Sequence, residues 1–75
     1  MAITVQWRTI ISSPIEERDG SSTIFEVEGI GRVLVHDRNH EKAIDFGLNP
    51  TVELEEAQDS THESGGVVFK IASFS

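Results

Sequence analysis

AITVQWRTII, residues Ala2 to Ile11, is the stretch on which the fold turns. Ile3, Val5, Trp7, Thr9 and Ile11 fall on one side of an extended chain, and Thr4, Gln6 and Arg8 on the other. That period of two is the mark of a strand with one face in a core and one in water. Ten residues also exceed the usual five or six, and the run holds the single tryptophan. It predicts a long first strand, with the shorter apolar runs downstream packed against it.

Working outward, Ser12-Ser13-Pro14 ends the pairing, because proline cannot donate to a ladder. Ile15 to Ser22 is polar and reads as a loop with a turn at Asp19-Gly20, or as the tip of a longer hairpin. Thr23 to Glu28 is a second strand, with Phe25 and Val27 inward and Ile24, Glu26 and Glu28 outward. Gly29-Ile30-Gly31 is a tight turn or bulge leading into a third strand, Arg32 to His36. The unbroken Val33-Leu34-Val35 there implies burial on both faces, or a second face that meets a helix.

Asp37 to Pro50 admits two readings. In the first, Asn39 caps a helix from about His40 to Phe46, Glu41 lies in its first turn, and Ala43, Ile44 and Phe46 share a side. Gly47 then supplies the left-handed stop, with Leu48 touching back on Ala43. In the second, Lys42 to Phe46 is a strand. Thr51 to Glu56 alternates again, Val52 and Leu54 in, Glu53 and Glu55 out. Ala57 to Gly66 is a polar loop, and Val67 to Phe74 is the last strand.

The helical reading gives a mostly β chain: a small five-stranded barrel with one short helix between strands 3 and 4. That element order resembles the oligonucleotide/oligosaccharide-binding (OB-like) barrel, and an SH3-like barrel fits nearly as well. A six-stranded roll follows if the helix is a strand. Residues 1–75 suffice for one domain, and so small a domain buries only about 60% of its unfolded surface. With no cysteine to form a disulfide, association with another chain is the common remaining support.

Charge narrows the function. Thirteen acidic residues against six basic ones give −7. Arg8, Arg18, Arg32, Arg38, Lys42 and Lys70 are scattered along the chain, which argues against direct nucleic-acid or anionic-membrane binding and favours a partner with a basic surface. No apolar run approaches the ~20 residues of a membrane span, and no leader pattern is visible. The expectation is a soluble, cytoplasmic protein, with a virion location also compatible.

Chemistry-bearing motifs are sparse. His36 and His40 are four apart and would share a face on a continuous helix, the spacing of a metal-ligand pair, but the strand reading of His36 breaks it. His62-Glu63 lies in the second polar loop. The serines sit where loops expect them, and Gly29-x-Gly31 lacks the rest of a phosphate loop. The reading is therefore non-enzymatic, without metal or cofactor. Glu26 and Glu28 on strand two and Glu53 and Glu55 on strand four form an acidic plate, with Arg8 among them in an OB-like strand order. Ile10, Ile24, Val68 and Phe74 fall outside the inner-face alternation; they close the barrel ends or form an association patch, with Phe74 as anchor in a neighbouring subunit.

The resulting expectation is an acidic protein–protein interaction module. It would act as an accessory or structural subunit, of viral origin among other sources, or as a small inhibitor of a basic, nucleic-acid-binding partner. Its partner-binding residues would be Glu26, Glu28, Glu53, Glu55 and Phe74, and a homo-oligomer is compatible with them. The alternatives are an OB-type single-stranded nucleic-acid binder, which needs exposed aromatic residues beside cations, and a small metal-dependent enzyme using His36 and His40.

Overall fold

The computed structural model describes residues 3–59 and 66–75. Its elements run β1 (Ile3–Gln6), α1 (Trp7–Ile11), β2 (Ile15–Asp19), β3 (Ser22–Val27), β4 (Gly31–His36), α2 (Asp37–Asp45), β5 (Thr51–Asp59) and β6 (Gly66–Phe74). The strands form one six-stranded sheet in the order β1-β5-β6-β4-β3-β2. The mostly β expectation holds. The five-stranded closed barrel does not: there are six strands, and β1 and β2 are open edges.

The ten-residue first strand is the main correction. It stops at Gln6, and Trp7 to Ile11 turn into a single helical turn. Trp7 and Ile10, three apart, are buried, whereas Ile11 is 40% exposed and Thr9 lies in solvent. The cause of the switch lies forty residues downstream. The Trp7 N–H donates to the Pro50 carbonyl at 2.9 Å, and the Arg8 N–H donates to Asn49 Oδ1 at 3.0 Å. These bonds satisfy two of the helix's orphan donors, and Gln6 makes no cap of its own. Replacing Asn49 with Ala is therefore expected to lower stability by ~1 kcal/mol, the usual cost of a lost cap. Urea unfolding followed by circular dichroism reads that loss directly.

The second correction is β2. Ile15 to Asp19 pairs antiparallel with β3 and forms the hairpin that was the lesser of two readings for this stretch. Asp19 faces Ser22 across a two-residue turn in which Gly20 has φ +61°, the conformation a first-position glycine supplies in a type II′ hairpin. A register shift between Ile15 and Glu17 leaves Glu16 as a bulge. Short β1 at one edge and bulged, charged β2 at the other are both poor templates for a further strand.

The Asp37–Pro50 segment is helical, but α2 begins at Asp37 rather than near His40. His36 is the N-cap: its Nδ1 accepts from the Arg38 N–H at 3.1 Å, while its own N–H donates to Asn39 Oδ1 at 2.8 Å. Asn39 thus closes a capping box from the third helical position instead of opening the helix. Gly47 ends the element with φ +115°, yet Leu48 is 85% exposed, far from the buried contact expected of it.

The main core lies on one face of the sheet. Val52 and Leu54, Val33 and Val35, and Phe25 and Val27 are buried under Trp7, Ile10 and Ala43 of the two helices. Ile3, Val5, Phe69, Ile71 and Phe74 complete its rim. Ile24 and Val68 lie outside this cluster, on the opposite face by register, and are also fully buried. There Arg32 donates from Nε to Glu16 at 2.7 Å and from Nη1 to the Val67 carbonyl at 3.4 Å, tying β2 to the start of β6. Strand structure extends into the stretch read as the second polar loop, since β5 continues to Asp59 and β6 starts at Gly66; the rest of that stretch lies outside the described residues. Among the described residues, no helix is long and apolar enough to cross a membrane.

Candidate protein-interaction surface

The end of α2 and the turn after it carry the largest apolar exposure. Ile44 is 76%, Phe46 50% and Leu48 85% exposed. Ile44 and Leu48, with Trp7, Ala43 and Gly47, line a hollow of about 260 Å³. Beneath it lies a chain of rings. His40 meets Trp7 edge-on at 5.1 Å, Trp7 meets Phe74 edge-on at 5.6 Å, and Phe46 stacks on Phe74 at 5.8 Å and 24°. The rings fix the surface from below, because aromatic pairs hold preferred offset and edge-to-face geometries.

Helix periodicity explains why these side chains face outward. Ala43 is the one buried residue of α2, and His40, three before it, shares its side. Ile44 is one position past Ala43, about 100° round the helix. Glu41 and Asp45 flank it, and neither forms an ion pair among the described residues. Arg8 is linked to the turn after α2 through its backbone N–H, which donates to Asn49.

The residues expected to bind a partner do not form one surface. Glu26 sits on the outer sheet face opposite Arg32, while Glu28 has left the sheet in the turn between β3 and β4. Both line a shallow groove beside Ser12, Ser13 and Pro14. Glu53 and Glu55 share the outer face with two strands between them and β3, and Glu55 lies opposite Lys70. Arg8 is not among these glutamates, because β1 pairs with β5 alone and Arg8 belongs to α1. Phe74 is half-buried against Trp7 and Phe46, so it supports the exposed apolar surface and does not project as an anchor.

The structure does not bring His36 and His40 together as a ligand pair. With Nδ1 of His36 accepting, its Nε2 carries the proton and donates to Ser21 Oγ at 3.0 Å, while His40 rests on Trp7. Among the described residues, no three His, Asp or Glu side chains converge as metal ligands, and His62 lies outside those residues. Trp7 and Phe25, two of the aromatic residues that could serve a strand-binding groove, are buried.

The apolar residues of this surface were visible in the sequence, but as the inward side of a helix. What sequence reasoning missed is that α2 buries Ala43 alone, so that Ile44, one position on, faces outward. Comparison with known protein families, curated proteins and solved structures finds no match for the chain.

Proposed function

We propose that this chain is a non-enzymatic interaction module that seats the Ile44–Phe46–Leu48 surface on a protein partner with a basic rim. The observation that carries this reading is the exposure of three large apolar side chains on a 75-residue chain whose other large apolar residues are mostly covered. Fully burying one such side chain is worth about 1.5–3 kcal/mol, so covering all three favours association by several kcal/mol before the cost of immobilising the partner. Glu41 and Asp45 beside Ile44 favour cations opposite them. A second copy is disfavoured, because a two-fold interface would set these carboxylates, and the −7 of each chain, against one another. The role as accessory subunit or inhibitor belongs to the same proposal.

The test compares the wild-type chain with an Ile44→Ser/Leu48→Ser variant in quantitative capture from a lysate of its source. Wild type should retain one basic protein that leaves as salt is raised, and the variant should lose it with an unchanged melting curve. Equal capture by both chains, or a native mass showing a dimer of this chain alone, would overturn the reading.

A further inference from the structure

We infer that the groove at the seam of β4 and β6, under the start of α2, binds a small organic phosphate. Lys70 is far in sequence from Arg38 and Lys42, yet all three line this groove of about 470 Å³, and among the described residues no carboxylate lines it. None of the three forms an ion pair among the described residues. Subtracting them leaves three cations against thirteen acids, or −10, on the rest of the chain. Three positive charges gathered on so acidic a protein form a local reversal of field, and such a reversal attracts an anion.

The seam explains how the groove arises. β4 and β6 are the parallel neighbours of the sheet and pair only through Val33–Phe69 and Leu34–Lys70. Beyond that short contact, α2 lies across the end of β4 and lends Arg38 and Lys42, four apart on one side of the helix. Leu34 supplies an apolar lining, with the buried Val68 beside it. A weakly hydrated floor strengthens the attraction between the rim cations and an anion above it. The first backbone N–H groups of α2 are already engaged by Ser21 and His36, so recognition rests on side chains.

Size and surroundings select the ligand class. About 470 Å³ lies within the range of small-molecule sites. Arginine offers a bidentate fork for phosphate oxygens, and the lysines add point charges. An apolar or planar body on the same molecule fits beside Leu34. A polymeric nucleic acid fits poorly. The groove has no Trp, Phe or Tyr for base stacking, and Glu55 faces Lys70 across the β5–β6 pair while Asp37 opens the helix beside Arg38. Asp37 is held by Arg18 at 3.8 Å, and neither Glu41 nor Asp45 of α2 reaches the groove.

The experiment titrates the isotopically labelled chain with phenyl phosphate, inorganic phosphate and an oligothymidylate, following backbone amide resonances. Phenyl phosphate should give saturable shifts confined to Leu34 to Lys42 and Val68 to Ile71, and bind at least about tenfold tighter than inorganic phosphate. Lys42→Gln/Lys70→Gln should weaken it by at least about tenfold, and Lys42→Arg should keep it. These side chains are exposed, so the variants keep the fold, and capture through Ile44 and Leu48 should be unaffected. Absence of saturable shifts overturns the inference, as does binding indifferent to the double substitution. Affinity that grows with oligothymidylate length would overturn it in favour of a nucleic-acid strand.

Discussion

Trp7→Ala is expected to remove ~3–5 kcal/mol of stability, the range for deleting a buried large aromatic side chain. A chain of 75 residues has about 4–11 kcal/mol in total, at ~0.05–0.15 kcal/mol per residue. The substitution should therefore leave a partly or wholly unfolded population at room temperature. The indole is 6% exposed and joins three elements at once: it starts α1, meets His40 of α2 and meets Phe74 at the end of β6. Losing it leaves a void that the short helical turn cannot refill, since Ile10 is already fully buried in its own place. Trp7→Phe, which keeps a ring against Phe74, should cost distinctly less. Urea unfolding read by far-ultraviolet circular dichroism separates the cases without needing the tryptophan signal. A loss below ~1 kcal/mol for Trp7→Ala would show that α1 and α2 are held by something other than this ring.

Local pattern made the interior legible but not the path that encloses it. Val52 and Leu54 alternate with polar neighbours, so their burial follows from strand periodicity. Trp7 was legible as core because position 7 satisfies both a period of two from Val5 and a spacing of three to Ile10. That coincidence is also why the break at Gln6 was hidden. Nothing between Ala2 and Ile11 announces it, and the groups that stabilise it, Asn49 and the Pro50 carbonyl, belong to another segment. β2 was obscure for a different reason. As an edge strand with Ile15 its one large apolar residue, it has no face that must be buried and so no periodic signal. The cationic groove was equally illegible, because the seam that joins Lys70 to Arg38 and Lys42 is a parallel pairing of only two residues on each strand.

Ile24→Ala is expected to cost ~2–5 kcal/mol, as for other fully buried isoleucines, although its neighbours in sequence place it on the solvent side of β3. Glu26 shares that face and is exposed, and the main core accounts for Phe25 and Val27 instead. Ile24 is nonetheless 0% exposed and Val68 1%. Register puts Ile24 between Glu17 and Leu34, in the row next to Arg32 and Val68. The bulge at Glu16 bends the β2 edge, as bulges do, and the Arg32–Glu16 pair holds that edge towards β6. Long charged side chains can shield apolar surface along their stems while keeping the charge in water. On this account the outer face has a small dry centre of its own, and an alanine there leaves a cavity as it would in the main core. Ile44→Ala is the matched control: the same change at a 76% exposed position should stay within about 0.5 kcal/mol of wild type. Paired urea titrations of the two variants decide the matter. Equal midpoints would mean that the outer face opens freely to water, and that the apolar floor assigned to the phosphate groove is not held in place.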